Sequence, residues 1–162
     1  MINITLTSNR GDFILYEDQE PILTMKRSGW FSAASEMAYL DNLIEIKPRN
    51  IWWRKFDIFE NGRIVGELLI PSRGKMEINI EGANYKRFHF LLRKKGFWNS
   101  RFELYKDRKN LLLTLHAKFN WSRLNFDFNV EIFEWQEEDL DIYELLAYCA
   151  YGASNYMEHK RG

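Results

Sequence analysis

The stretch DLDIYELLAYCAYGASNYMEHK, Asp139–Lys160, decides how the rest of the chain is interpreted. No charged residue lies between Glu144 and Glu158, so a helix formed here would carry apolar or small side chains on every face. Asp141 and Glu144 have the spacing of a capping box, which predicts a helix that begins near Asp141. A helix that is apolar all round is buried in protein or in lipid, and this run is shorter than the about 20 residues that span a bilayer. We therefore expect the helix to be enclosed by the rest of the chain.

Length and composition indicate one domain, residues 1–162, in a reducing compartment. The chain has 23 basic and 23 acidic residues, so no bulk attraction to nucleic acid or to an anionic membrane is expected. The single cysteine, Cys149, cannot form an intramolecular disulfide. The N-terminal sequence MINITLTSNRGD lacks the basic and apolar segments of a signal peptide, and no run is long enough for a transmembrane helix. We expect a cytoplasmic protein.

Residues 1–136 show about twelve short runs of alternating apolar and polar side chains, separated by turn signals. Asn61-Gly62, between two such runs, is the strongest short-range hairpin signal. The clearest alternation is LNFDFNVEI, Leu124–Ile132, which predicts a last strand with Leu124, Phe126 and Phe128 on its buried face. Because no long helical pattern interrupts the runs, they predict a meander of antiparallel strands.

Twelve strands in one open sheet would leave two vulnerable edges, whereas a closed barrel has none. A barrel of that size has a lumen wider than its own side chains can fill, so it needs a plug. The helix predicted at 139–160 supplies it. We therefore predict an all-β fold, a closed antiparallel barrel of about twelve strands that encloses a single C-terminal hydrophobic α-helix. The alternative is a two-sheet sandwich with the helix packed across one open end.

Three segments carry a resemblance to a known family: FENGRIVGEL (Phe59–Leu68), RFELYKDRKNLLLTLHAKFNW (Arg101–Trp121) and ELLAYCAYGASNYM (Glu144–Met157). In these segments and in its order of elements, nearly the whole chain resembles the tubby C-terminal-like group, which includes the plant LURP-one-related proteins and the phospholipid scramblases. The resemblance implies a barrel threaded by its last helix and contact with phosphoinositides or membrane surfaces. The phosphoinositide-binding residues of tubby do not map one by one onto this sequence, so none is carried over. The calcium-binding segment and spanning helix of the scramblases have no counterpart here.

The best candidate for a binding site is a basic block from Lys86 to Lys109. It contains nine basic residues and only two acidic residues, Glu103 and Asp107. In its middle, Phe97 and Trp98 follow a turn glycine. A basic loop with an aromatic tip suits an anionic membrane surface, because Lys and Arg are attracted to anionic headgroups and Trp favours the headgroup layer. The candidate anion-binding residues are Lys86, Arg87, Arg93, Lys94, Lys95, Trp98 and Arg101. The alternative is that these cations are ordinary solvated residues of strand outer faces.

The sequence offers no catalytic or metal-binding signature. The acidic run from Asp127 to Glu144 does not have the spacing of a calcium loop, so neither a metal nor a cofactor is predicted. A thiol inside an apolar helix, such as that of Cys149, is inert as a nucleophile. We expect a non-catalytic module that binds anionic lipid headgroups or a protein partner. The alternative is a small-molecule or lipid carrier with the helix as its lid. A carrier requires an empty cavity of about 300 Å³ or more, whereas a fully plugged barrel leaves none.

Overall fold

A computed structural model describes residues 1–29, 33–50, 52, 54–97 and 100–161, the last three by their backbone alone. It contains twelve β-strands and one α-helix, with a short 3-10 turn at Ala83–Tyr85. The strands are β1 (Ile2–Leu6), β2 (Phe13–Glu17), β3 (Glu20–Arg27), β4 (Ser35–Tyr39), β5 (Asn42–Pro48), β6 (Lys55–Glu60), β7 (Arg63–Ser72), β8 (Lys75–Glu81), β9 (Arg87–Lys95), β10 (Arg101–Lys106), β11 (Asn110–Asn120) and β12 (Asn125–Ile132), and the helix is α1 (Ile142–Arg161).

The strands form one closed antiparallel barrel, as the sequence predicts. Each strand pairs with its neighbours along the chain, and β1 closes the ring by pairing with β12. In that closing pair, Ile2 lies opposite Val130 and Ile4 opposite Phe128. The ring therefore has no free edge, and the two-sheet sandwich is not the fold.

Alternating side chains along the strands build the inner wall. Ile4, Leu15, Ile46 and Ile58 are all fully buried, whereas the residues between them face outward and are partly exposed. The Asn61-Gly62 turn joins β6 and β7, and both residues have positive φ angles of 51° and 84°. This is the two-residue hairpin that the sequence predicts, because Asn and Gly tolerate the left-handed conformation better than other residues.

The helix begins at its predicted cap. Asp141 Oδ1 accepts hydrogen bonds from the backbone N–H groups of Tyr143 at 2.8 Å and Glu144 at 3.2 Å. The carboxylate of Glu144, for its part, accepts a hydrogen bond from Tyr148 Oη at 2.6 Å. From there, α1 extends for twenty residues, or about 30 Å at 1.5 Å per residue, through the barrel.

Side chains on all faces of α1 are buried against the inner wall, which confirms the enclosed helix. The fully buried positions are Leu145, Leu146, Ala147, Tyr148, Cys149, Ala150 and Ala153. Small residues allow the wall to approach closely. A Cβ added at Gly152 would lie 2.5 Å from Met76 Cε, so this position requires glycine unless Met76 moves.

The barrel has two different ends, which we name by the helix. At the proximal end, where α1 begins, Tyr39 Oη donates to Asp141 at 3.0 Å and the backbone N–H of Ala83 donates to the carbonyl of Asp139 at 2.6 Å. At the distal end, where α1 ends, Arg27 Nη2 donates to Asn155 Oδ1 at 3.0 Å. These contacts join the start and the end of the helix to the wall.

The last strand is one residue shorter than its sequence pattern predicts. Leu124, predicted to face the core, lies in the turn before β12 with a φ of 51° and is exposed. The side chain of Asn120 accepts hydrogen bonds from the backbone N–H groups of Ser122 and Arg123, and this folds the chain into a turn over residues 121–124. The prediction for Leu124 was therefore wrong, because local turn hydrogen bonds outweigh the apolar alternation at that position.

No helix in the described part of the chain is both long enough and apolar enough to cross a membrane.

The packing of α1 can be tested by removing one buried side chain. We expect Leu146→Ala to lower the free energy of unfolding by about 2–5 kcal/mol, because it leaves a cavity between the helix and the wall. The control is Leu40→Ala, which removes an exposed leucine from the β4–β5 turn. Equilibrium unfolding in urea measures both variants, and equal stability of the two would contradict an enclosed helix.

Candidate functional site

The two ends of the barrel carry opposite charge. In a meander of antiparallel strands, the connections that follow odd-numbered strands lie at the distal end, and those that follow even-numbered strands lie at the proximal end. The distal connections contain five arginines and one acidic residue: Arg10, Arg49, Arg54, Arg73, Arg123 and Asp12. The proximal connections, including the segment before α1, contain three basic and eight acidic residues: Lys86, Arg108, Lys109, Asp18, Asp41, Asp107, Glu134, Glu137, Glu138, Asp139 and Asp141. The net charge of zero therefore conceals a charge separation along the barrel axis.

The predicted basic block is divided between these ends. Its first two residues, Lys86 and Arg87, lie at the proximal start of β9, and Arg93, Lys94 and Lys95 lie at its distal end. Arg87 and Lys95, the first and last residues of this nine-residue strand, are about 27 Å apart. The seven predicted residues therefore do not form one surface.

The proximal cations are largely neutralised by the acidic segment before α1 and by β8. Lys86 Nζ lies 3.7 Å from a carboxylate oxygen of both Glu137 and Asp139. Lys106 forms an ion pair with the same Glu137, and the hydrogen bond from Lys106 lowers the pKa of that carboxyl group. Arg108 Nη2 lies 2.5 Å from Glu77 Oε1. Arg87 and Lys109 form no ion pair among the described residues, but they lie at an end where carboxylates outnumber cations.

Seven cations lie at the distal end, in the β5–β6 and β7–β8 connections and at the adjoining ends of β8, β9 and β10. We call them the basic rim: Arg54, Arg73, Lys75, Arg93, Lys94, Lys95 and Arg101. Backbone pairing brings them together, because Lys75 lies opposite Arg93, and Lys95 lies opposite Arg101. Within the described residues, Arg101 is the one rim cation in an ion pair, with Nη2 3.0 Å from Glu103 Oε1.

Two rim residues also contact the end of the helix. The guanidinium of Arg73 and Nζ of Lys94 each lie 5.7 Å from the ring centroid of Tyr156. Lys94 Nζ also donates to the carbonyl of Gly96 at 2.6 Å. Arg93 lies 5.8 Å from the ring of Tyr105 on the outer wall. The rim thus has an inner side beside α1 and an outer side on the wall.

Three of the rim residues were missed by the sequence analysis. Arg54, Arg73 and Lys75 are distant along the chain from the predicted block. They can be identified from the order of the strands. In a meander, alternate connections lie at the same end, so the β5–β6, β7–β8 and β9–β10 connections are neighbours at one end of the barrel. The predicted Trp98 lies outside the described residues.

Exposed aromatic side chains accompany the rim. Phe97, in the β9–β10 connection, is 77% exposed, and Trp52 and Trp121 stand in other distal loops with similar exposure. The proximal end has exposed apolar residues too, such as Tyr85 and Phe133. The proximal connections contain more carboxylates and the distal connections more arginines, although the guanidinium of Arg63 lies 5.9 Å from the ring of Tyr85.

A cavity of about 500 Å³ opens at the distal end, between α1 and the strands of the basic rim. We call it the distal cavity. Its inner surface is largely apolar, and the residues that give it this character are Ala33, Phe56, Ile70, Met76, Leu92, Phe102 and Gly152. Trp52, Arg54, Arg73 and Lys75 line its exposed mouth. The helix therefore does not fill the barrel completely, and the expectation that a plugged barrel leaves no cavity was wrong at this end.

One polar wall of the distal cavity is already occupied by internal contacts. Arg27 Nη2 donates to Asn155 Oδ1 and lies 3.5 Å from Glu158 Oε2. All three residues line the cavity, and Arg27 and Glu158 are mostly buried. The positive charge of Arg27 is therefore balanced within the protein, and the uncompensated charge lies at the mouth.

The buried titratable groups of α1 lie along its first half, from Glu144 to Tyr151. Burial raises the pKa of the Cys149 thiol well above its ordinary value, so the thiol is held in its protonated, poorly nucleophilic form at neutral pH. Burial likewise raises the pKa of Tyr151 to about 12, and its hydroxyl donates to the carbonyl of Ala33 at 2.7 Å. Burial also raises the pKa of Glu144, against the opposing effect of the hydrogen bond from Tyr148.

The acidic run before the helix does not assemble a metal site. In the parts of the chain that are described, no three His, Cys, Asp or Glu side chains are grouped to hold a metal ion. Glu137 and Asp139 instead pair with Lys86, and Asp141 caps α1.

Comparison with known proteins gives no relative: no family model, no curated protein and no solved structure matches the chain. The resemblance to the tubby C-terminal-like group stays a prediction from the sequence.

The raised pKa of Glu144 predicts a pH-dependent gain in stability from Glu144→Gln. The folded state holds the carboxyl proton more tightly than the unfolded chain, so the wild-type protein loses stability as the pH rises from about 4 through the folded-state pKa. The glutamine stays neutral and keeps an acceptor for Tyr148. We expect the two melting temperatures to be equal near pH 4 and that of the variant to be the higher one at pH 7–8.

The control for this measurement is Glu138→Gln, which removes an exposed carboxylate from the same end of the barrel. Thermal melting at a series of pH values compares the two. An advantage of Glu144→Gln that increases as the pH falls would contradict the direction of the shift.

Proposed function

We propose that the protein is a non-catalytic module that binds anionic membrane surfaces through its distal end. The observation that carries this proposal is the basic rim, in which six of seven cations have no carboxylate partner within the described residues. Lys and Arg near an anionic membrane surface contribute about 1 kcal/mol each. A few of them in simultaneous contact suffice for reversible binding, even in a chain whose net charge is zero.

The exposed aromatic residues support the same orientation. Trp52 lies in the β5–β6 connection and Phe97 in the β9–β10 connection, one on each side of the β7–β8 connection. Aromatic rings favour the interface between headgroups and hydrocarbon. The proximal end, with its excess of carboxylates, is repelled by an anionic surface and therefore faces away. The charge separation along the barrel axis would thus orient the molecule before contact.

Vesicle flotation tests the proposal. We expect the wild-type protein to float with vesicles of phosphatidylcholine and phosphatidylserine and to stay unbound with phosphatidylcholine alone. Lys95→Gln combined with Phe97→Ser should weaken binding at least about fivefold, because one such charge alone accounts for about 1 kcal/mol and the lost ring adds to this. Binding should also weaken as salt is raised above about 0.1 M, because the Debye length falls below about 10 Å.

The matched control is Arg87→Gln combined with Tyr85→Ser at the proximal end. It removes the same charge and an aromatic ring with the same 77% exposure as Phe97. It should leave flotation unchanged. Equal loss in both double variants, or equal binding to neutral and anionic vesicles, would refute docking through the distal end.

The distal cavity favours a second candidate function, that of a carrier for a small molecule or lipid. Clefts on the outer wall have similar volumes of about 450–530 Å³, so the argument rests on the place of this cavity between α1 and the strands and on its apolar lining. Carriage and membrane docking are compatible, because the cavity opens inside the rim that would face the membrane.

A further inference from the structure

We infer that the distal cavity binds one anionic amphiphile, a molecule with a single negatively charged head and an unbranched apolar tail. This inference deepens the second candidate function and is independent of membrane docking. It follows from how the polar and apolar parts of the cavity are distributed, and from which of its charges are already paired.

The inner part of the cavity suits a hydrocarbon tail. Phe56, Met76, Leu92 and Phe102 are buried core residues that line it, and Ile70 packs against the same core. An apolar tail placed here would remove its own surface from water at about 25 cal/mol for each Å² buried. A ligand that is polar throughout would leave the apolar surface unused and would lose part of its own hydration.

The mouth suits a negatively charged head. Arg54, Arg73 and Lys75 line it, are exposed, and form no ion pair within the described residues. Arginine presents a planar set of donors that matches a carboxylate or a phosphate in two parallel hydrogen bonds. A positively charged head would be repelled by the same three side chains.

The deeper charges do not compete for that head. Arg27 is held by Asn155 and lies beside Glu158, so the balanced pair adds little net field to the cavity. The head is therefore expected at the mouth and the tail toward the apolar lining around the partly exposed Ile70, rather than the reverse. This orientation predicts that charge substitutions at the mouth affect the choice of head, and that substitutions of the apolar lining affect the tail.

Isothermal titration with soluble probes tests the inference. The first probe is decanoate, and its controls are acetate, which lacks the tail, and decyltrimethylammonium, which has a positive head. We expect decanoate to bind with a stoichiometry of one and at least tenfold more tightly than either control. Acetate binding equal to that of decanoate would overturn the inference, since it would indicate a simple anion site. Equal binding of decyltrimethylammonium would overturn the role of the cations.

Variants locate the binding in the cavity. Ile70→Trp should fill the cavity and weaken decanoate binding at least tenfold, and Ser72→Trp repeats the test from an exposed strand end. Arg54→Gln combined with Arg73→Gln should reduce the preference for decanoate over decyltrimethylammonium at least tenfold. Circular dichroism and thermal melting confirm that each variant is folded. Unchanged decanoate binding in folded Ile70→Trp and Ser72→Trp would refute the assignment.

The same variants separate this inference from membrane docking. Lys95→Gln with Phe97→Ser changes residues that do not line the cavity, so it should lose flotation and keep decanoate binding. Ile70→Trp should keep flotation and lose decanoate binding. Decanoate binding without any flotation would refute docking alone, and flotation without decanoate binding would refute the cavity ligand alone.

A last arm distinguishes a ligand taken from solution from one taken from a bilayer. The protein is incubated with vesicles that contain palmitate, released in high salt, and examined by native mass spectrometry. Bound palmitate after release indicates uptake from the bilayer. Decanoate binding in solution without bound palmitate indicates that the ligand is captured from water, which leaves the cavity assignment standing.

Discussion

The structure depends on one packing constraint, the burial inside a ring of strands of a helix that has no charged residue between Glu144 and Glu158. Twelve strands enclose a lumen that inward side chains alone cannot fill, and a helix apolar on every face cannot remain in water. Each element therefore requires the other, and neither has another partner within the chain. Small residues at Ala147, Ala150 and Gly152 keep the helix slim enough for the wall to close around it. Asp141 fixes where the helix starts and thereby sets its position along the barrel axis.

The meander adds a second constraint, which sorts the connections between two ends. Because every connection after an odd strand lies at the distal end, charge placed in alternate loops becomes charge at one pole of the molecule. The proximal pole interleaves its cations with carboxylates, as Lys86 between Glu137 and Asp139 illustrates. The distal pole also pairs Arg49 with Asp57 and Glu67, and Arg123 with Asp127, but the cations of the basic rim other than Arg101 form no ion pair among the described residues. The neutral overall composition gives no hint of this arrangement, because it sums over the two poles.

The sequence was sufficient to predict the fold but only part of the site. Strict apolar alternation, the Asn61-Gly62 turn and the uncharged run after Glu144 are local signals, and each corresponds to a local structure. Leu124 shows their limit, since side-chain hydrogen bonds of Asn120 end the alternation early. The basic block was treated as one segment of sequence, although a strand of nine residues places its two halves at opposite ends. Arg54 and Arg73 join the distal half through strand pairing, which composition along the chain does not report. The distal cavity also escaped prediction, because its volume depends on how far the wall stands from the helix.

The coincidence of the basic rim and the distal cavity has a physical basis. Unpaired like charges on neighbouring strands lower the stability of a fold because they repel one another. A cavity between the helix and the wall also lowers stability, because the side chains that line it lose packing contacts. The proximal end avoids both costs through ion pairs and dense packing around Leu145 and Tyr148. A barrel shaped by stability alone would treat its two ends alike. Places where a sequence departs from such local rules are where functional sites are expected. A single ligand with a negative head and an apolar tail relieves both departures at once, since its head neutralises Arg54 and Arg73 and its tail occupies the cavity beside Ile70. This is why the two features are better understood as one site than as two defects.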